Sequence, residues 1–182
     1  MKTTFILTLA IALLGFSLSN RDKIIIGRIN LDPTLTAYLD LLIIELKDST
    51  LVVGRTNVNQ DGTFCLRVNS NRPLDLFYYG LGINETYMQT LFPSNADSII
   101  ISLKIPKEYN KKGRKVVCPK CMKNDNTIPI TYGLHATVIV QHISPKGDTT
   151  YTPYSKKEYY EGGCVTSEID PKYFCKRDKI KF

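Results

Sequence analysis

The sequence has no tryptophan, only two histidines and, beyond residue 16, no long hydrophobic run. His135 and His142 lie seven residues apart in a predicted strand, so their side chains face opposite sides and cannot bind one metal ion together. No later segment approaches the about 20 apolar residues of a membrane-spanning helix. The sequence also lacks a nucleophile elbow, a phosphate-binding glycine loop and an HExxH motif. These absences argue against the common hydrolase, nucleotide-binding and metalloprotease classes, and we assign no catalytic residue.

The N-terminus has the three parts of a secretory signal peptide. A short basic start containing Lys2 is followed by an apolar stretch over residues 5–16 and by small residues over 17–19. We therefore expect a signal peptide over 1–19 and an exported protein that is periplasmic, cell-surface or secreted. An uncleaved N-terminal anchor is the alternative. No transmembrane segment is expected after removal of the signal.

Composition and charge favour a folded domain with dispersed basic residues. The chain of 182 residues is 43% hydrophobic and carries a formal net charge of +7. The length that remains after the predicted signal peptide allows one ordinary domain or two small ones. Basic residues cluster only over 107–115, which we interpret as a solvated linker, and over 175–181. Nucleic-acid binding would fit the charge but conflicts with export, so no nucleic-acid partner is expected.

Residues 20–106 have the pattern of short strands separated by turns, without helical periodicity. This predicts an all-β fold, a seven-stranded antiparallel β-sandwich. The predicted strands cover 23–30, 38–46, 51–56, 63–68, 74–80, 84–92 and 98–105.

Three local features refine this prediction. Asn59-Gln60-Asp61-Gly62 is a strong hairpin signal, because Asp-Gly supplies positive φ values. Ile99-Ile100-Ile101 would promote aggregation at an exposed edge, so we place it inside the sheet. Cys65, in the middle of a strand, is expected to be a small buried residue.

The same half of the chain resembles the carboxypeptidase regulatory-like domain, a transthyretin-like sandwich common in exported proteins of Bacteroidetes-type bacteria. The residues that carry the resemblance are Gly27 with Ile25 and Ile29, Thr56, the run Asp61-Gly62-Thr63-Phe64, and the strand end over 76–80. The resemblance implies an accessory domain that binds or presents something and has no catalytic activity of its own.

Residues 116–182 resemble a small zinc-ribbon-like domain of bacteria. The matching blocks are Cys118-Pro-Lys-Cys121, the strand over 128–133, the Gly-Gly-Cys turn ending at Cys164, and the segment over 171–178. The predicted organisation is thus a signal peptide (1–19), a β-sandwich (20–106), a basic linker (107–115) and a small β-rich unit (116–182).

The cysteines of this second unit could bind a structural zinc ion, which prefers about four thiolate-rich ligands. Cys118, Cys121 and Cys175 are the expected ligands, with Cys164 preferred as the fourth because its sulfur is the softer donor. Asp178 is the alternative ligand, because Cys175-Lys-Arg-Asp178 has the spacing of a second CxxC. Two disulfides, or a redox-active CxxC, remain open as alternatives.

The sequence therefore favours an exported, non-enzymatic accessory or binding protein whose ligand is an unknown protein or glycan. The alternative is a small exported enzyme, hydrolytic or thiol-redox, that acts through the cysteine unit. A metal with all four positions filled leaves no place for an activated water, which favours the first interpretation.

Overall fold

A computed structural model describes residues 22–105, 108–133, 139–153 and 158–182. The predicted signal peptide, His135 and the first residue of the predicted linker lie outside these ranges. His142 is on a short strand in the C-terminal half. In the described ranges, no helix is both long enough and apolar enough to cross a bilayer.

The N-terminal half forms two facing sheets, which confirms the all-β prediction. One sheet has the strand order β4-β1-β7 and the other the order β3-β2-β5-β6. The strands are β1 (Lys23–Leu31), β2 (Leu42–Asp48), β3 (Leu51–Asn57), β4 (Thr63–Val68), β5 (Leu74–Gly80), β6 (Ile83–Leu91) and β7 (Ser98–Ile105). Alternate apolar residues of these strands face one shared core, as the period of two in the sequence requires.

One strand pair is parallel. β7 runs parallel to β1, with Ile26 opposite Ile100, whereas the other strand pairs of the two sheets are antiparallel. The placement of Ile99-Ile100-Ile101 inside a sheet was wrong, since β7 is an outermost strand and Ile100 is 82% exposed. An unbroken apolar run does not distinguish an edge from a central strand, because that depends on which strands neighbour it.

The expected strand over 38–46 begins later than predicted. Pro33–Leu41 is a 3-10 helix, and β2 starts at Leu42. Asp32 caps this helix, because its carboxylate accepts hydrogen bonds from the backbone and hydroxyl of Thr34, and Pro33 suits the first helical position. This local capping overrides the apolar pattern of Tyr38 to Leu41.

The turn at Asn59 to Gly62 is confirmed, but the strands on either side of it do not form a hairpin. Gly62 has φ 81° and its N–H donates to the carbonyl of Asn59. β3 pairs with β2, whereas β4 pairs with β1 in the opposite sheet. The turn therefore carries the chain from one sheet to the other.

Cys65 is exposed, contrary to the expectation that it is buried. Its neighbours Phe64 and Leu66 point into the core of the sandwich. Because side chains alternate along a strand, Cys65 must point outward.

The C-terminal half consists of shorter strands. One sheet has the order β13-β10-β14-β15, and two further pairs are β8-β9 and β11-β12. The strands are β8 (Lys111–Lys112), β9 (Lys115–Val116), β10 (Thr127–Thr131), β11 (Ile139–Ile143), β12 (Thr149–Pro153), β13 (Tyr160–Glu161), β14 (Tyr173–Cys175) and β15 (Ile180–Lys181). The small hairpin β8-β9 lies where the sequence predicts a basic linker.

This C-terminal half packs directly on the sandwich. Ile169 is buried in the sandwich core, and its carbonyl accepts a hydrogen bond from the Tyr78 hydroxyl. The buried Asp170 accepts a hydrogen bond from the backbone N–H of Asn84 at 2.7 Å. Phe77 and Tyr87, from β5 and β6, belong to a second hydrophobic cluster with C-terminal residues. That second cluster contains the candidate site.

Candidate metal centre

Two turns of the C-terminal half bring four potential metal ligands together. The first, Cys118 to Cys121, follows β9, and the second, Cys175 to Asp178, connects β14 and β15. The ligand atoms of Cys118, Cys121, Cys175 and Asp178 all lie within 4.8 Å of one another. This cluster could hold a metal ion.

The two turns have matching backbone conformations. Backbone N–H groups of Lys120 and Cys121 donate to the Cys118 sulfur, and those of Arg177 and Asp178 donate to the Cys175 sulfur. Each turn is followed by a non-glycine residue in the left-handed region, Met122 with φ 58° and Lys179 with φ 54°.

A tight turn of this kind directs its first and fourth side chains to one point. In the first turn, the N–H of Met122 donates to the Cys118 carbonyl at 3.0 Å, and the N–H of Cys118 donates to the Lys123 carbonyl at 2.8 Å. Cys118 and Cys121 occupy the two ligand positions there, and Cys175 and Asp178 occupy them in the second turn. The site is therefore formed by two similar halves, one of which ends in a carboxylate instead of a thiol.

The carboxylate of Asp178 lies between thiols. Its Oδ2 atom is 3.1 Å from Cys118 Sγ and 3.2 Å from Cys175 Sγ, and the sulfurs of Cys121 and Cys175 are 3.9 Å apart. Burial acts to raise the pKa of Asp178, but hydrogen bonds from the three thiols outweigh it and lower the pKa below its ordinary value. Asp178 is thus held as a carboxylate that accepts hydrogen bonds.

The site is covered by apolar side chains on its inner side. Cys118 and Cys175 are almost completely inaccessible, whereas Cys121 and Asp178 are half-buried. Burial raises the pKa of the Cys118 thiol and of the Cys175 thiol, although backbone donors act in the opposite direction. The seven buried members of this cluster are Phe77, Tyr87, Val116, Cys118, Cys175, Ile180 and Phe182.

Charged groups lie on the outer side of the site. Nη1 of Arg177 is 4.0 Å from Cys121 Sγ, and its Nη2 donates to the Asp125 carboxylate at 2.7 Å. Lys120, within the first turn, forms an ion pair with Asp75 of β5. No sequence pattern indicated that Asp75 would meet the cysteine turn, because the two residues are far apart in the chain and belong to different predicted domains.

Cys164, preferred from the sequence as the fourth ligand, lies elsewhere. It is exposed and lines a surface pocket of about 330 Å³ together with Gly82, Asn84 and Gly163. The strand β10 explains the separation. Cys175 is opposite Thr127 at one end of β10, whereas β13, which leads to Cys164, pairs with Ile130 and Thr131 at the other end. Asp178, the alternative from the CxxC-like spacing, occupies the fourth position in the cluster.

Comparison with known proteins does not identify a family. No protein-family model matches the chain, and no curated protein matches it. Among solved structures, a 9R-lipoxygenase from Cyanothece PCC8801 matches with a TM-score of 0.33 and 12% sequence identity. The match covers 53% of this chain and 18% of that chain.

The chemistry of the cluster follows from its donor set. Three sulfurs and one carboxylate oxygen supply the four ligands that a tetrahedral metal ion would need, and such an ion would have no position left for a bound water. An ion held by these residues would join the segment after β9 to the β14-β15 turn. Both segments pack on Phe77 and Tyr87, so the ion would also secure the C-terminal half to the sandwich.

Proposed function

We propose that the protein is an exported, non-enzymatic accessory or binding protein whose C-terminal half is held on the β-sandwich by one structural zinc ion. The observation that carries the proposal is the convergence of Cys118, Cys121, Cys175 and Asp178, with all four ligand positions supplied by the chain. The molecule that this accessory protein binds is a protein or a glycan. The resemblance of the N-terminal half to the carboxypeptidase regulatory-like domain supports an accessory role.

Three separations between ligand atoms of the cluster are close to those of a zinc site. In a tetrahedral site two thiolate sulfurs lie about 3.8 Å apart, and a sulfur and a carboxylate oxygen about 3.5 Å apart. The separation of the Cys121 and Cys175 sulfurs, 3.9 Å, agrees with the first value. The Asp178 oxygen, at 3.1 and 3.2 Å from its two sulfurs, needs to move outward by only roughly a few tenths of an ångström to reach that geometry.

The number of converging thiols favours a metal over disulfides. Three cysteines meet at the site, while Cys65 and Cys164 are exposed on other parts of the surface. One disulfide among three thiols leaves the third beside a carboxylate without a covalent partner. A zinc ion uses all three and the carboxylate as well.

The experiment is elemental analysis of the natively purified full chain together with matched serine variants. We expect one zinc ion per chain in the unmodified protein and in Cys164→Ser, and loss of the zinc in Cys175→Ser. Asp178→Asn should weaken retention in the presence of a competing chelator, and Asp40→Asn, at an exposed position of the 3-10 helix, should leave it unchanged.

Two results would contradict the proposal. The first is absence of zinc together with a mapped disulfide between Cys121 and Cys175. The second is loss of zinc in Cys164→Ser with retention in Cys175→Ser. A thiol-disulfide exchange assay tests the enzymatic alternative, since turnover that requires Cys118 and Cys121 would establish a redox enzyme.

A further inference from the structure

The outer edge of β7 (Ser98–Ile105) has no strand partner in the part of the chain that the structure describes. β7 is the last strand of the β4-β1-β7 sheet, and no described residue pairs with its side opposite β1. The strand has eight residues, without glycine, proline or a bulge. Exposed edges of this kind join other strands unless charges, prolines or bulges block them.

The other edges of the sandwich have such protection. β3 has a register shift opposite Leu46 and Lys47 and carries Arg55. β6 is in contact with β15 of the C-terminal half. β4 is short and carries an exposed Arg67. The one charged residue of β7, Lys104, forms an ion pair with Glu108.

The backbone of β7 presents a regular row of hydrogen-bonding groups at this edge. The N–H of Ile24 donates to the carbonyl of Asp97 at 3.0 Å, so odd-numbered residues of β7 direct their N–H and carbonyl groups toward β1. Because these groups alternate along a strand, those of the even-numbered residues point outward. The outward residues are Ser98, Ile100, Ser102 and Lys104.

We propose that two copies of the chain form a two-fold symmetric dimer in which β7 pairs with β7 of the second copy in antiparallel fashion, centred on Ile101. Ile100 then forms a hydrogen-bonded pair with Ser102 of the second copy, and Ser98 forms one with Lys104. The two three-stranded sheets become one sheet of six strands. This proposal is independent of the metal site.

Charge and burial favour a second copy as the occupant. In this register the lysine lies opposite a serine, and no charged side chain faces another. On the inner face, Ile101 lies opposite Ile101 of the second copy across the two-fold axis, and Ile99 lies opposite Leu103 of the second copy. Ile99 and Ile101 are half-buried in the single chain, so the pairing covers the apolar surface that the edge leaves accessible.

The test is the molecular mass of the full chain in solution, measured by sedimentation velocity over a wide concentration range. We expect the unmodified protein to form a dimer. Ile100→Pro removes an outward N–H without removing a bond to β1, and a proline is tolerated at such an edge position. Two hydrogen bonds are lost per dimer, which raises the dimer Kd by about thirtyfold.

Two further variants make the result specific. Ile100→Lys keeps the N–H but places a charge diagonally opposite Lys104 of the second copy, so it should weaken the dimer even if Ile100→Pro folds poorly. Ile26→Lys is the control, because Ile26 is 45% exposed on the same face but lies on the central strand β1. It should leave the dimer intact. A monomeric unmodified protein overturns the proposal, as does a dimer that Ile26→Lys dissociates and Ile100→Pro does not.

Discussion

The sandwich and the C-terminal half bury their apolar residues on very different scales. Among the described residues, the sandwich core contains 20 buried side chains, whereas the second cluster contains seven, two of which are cysteines. Strands of the sandwich have six to nine residues, and those of the C-terminal half have two to five.

This difference indicates how each region is stabilised. A large apolar core can offset the entropy of ordering a chain, but a core of a few side chains rarely does so alone. The C-terminal half uses Phe77 and Tyr87 from the sandwich as part of its core and brings four ligands to one point. It therefore depends on its neighbour and contains a cluster that could hold a metal ion, whereas the core of the sandwich comes almost entirely from the N-terminal half itself.

Removal of the proposed zinc ion should produce the largest difference in stability between the two regions. Binding of structural zinc contributes on the order of 10 kcal/mol to the folding of small zinc domains. We expect a chelator to abolish amide-exchange protection in β14 and β15 while β2 and β5 remain protected, as measured by hydrogen-deuterium exchange with mass spectrometry. Cys164→Ser should respond as the unmodified protein does. Equal loss of protection in both regions would show that the sandwich also depends on the metal.

Truncation of Phe77 tests the contribution of the sandwich to the second cluster. Phe77 is buried and lies edge-to-face against Tyr87, with ring centroids 5.6 Å apart. Phe77→Ala should destabilise the C-terminal half by about 3–4 kcal/mol, because it removes a large side chain from a small core. Leu46→Ala, in the sandwich core, is the matched variant and should destabilise the sandwich. If both lower the same denaturant transition by the same amount, the two regions unfold as one unit.

Acid should act on the sandwich through Glu45. This buried carboxylate accepts hydrogen bonds from Arg55 at 2.7 and 3.0 Å and forms an ion pair with Lys47 at 3.2 Å. Burial acts to raise the pKa of Glu45, but these partners outweigh it and lower the pKa below its ordinary value. The ionised Glu45 and its two partners therefore stabilise the fold at pH values above the unfolded-state pKa of glutamate, about 4.3. This contribution is lost as the pH falls through the lower pKa that Glu45 has in the folded protein.

The measurement for Glu45 is thermal stability against pH. Glu45→Gln should lose about 1 kcal/mol near neutral pH and show a flatter decline in acid than the unmodified protein. Asp40→Asn, at an exposed position of the 3-10 helix, should keep the original profile. A profile for Glu45→Gln as steep as that of the unmodified protein would show that other carboxylates cause the acid response.

Much of the sandwich could be predicted because several of its strands, such as β1 and β4, alternate between buried and exposed residues. The prediction failed at Tyr38 to Leu41, where the capping by Asp32 and Pro33 decides the local conformation. It also failed for Ile99 to Ile101, because the position of a strand in a sheet depends on its partners.

The candidate site could be predicted in part, because the two residues of each ligand pair lie close together in the sequence. The spacing of Cys118 and Cys121 and of Cys175 and Asp178 is a local property, and each pair lies within one turn. The preference for Cys164 relied on the softness of sulfur as a donor. That property does not indicate how far Cys164 lies from the other ligands in the folded chain.

The sequence by itself determined the all-β character, the Asn59 to Gly62 turn and the two turns that carry the ligands, because these depend on residues close together in the chain. Only the tertiary structure decided that Asp178 and not Cys164 completes the cluster, that Phe77 and Tyr87 cover it, and that β7 ends a sheet. These outcomes depend on which strands pair, and strand pairing is set by packing between segments that are distant in sequence.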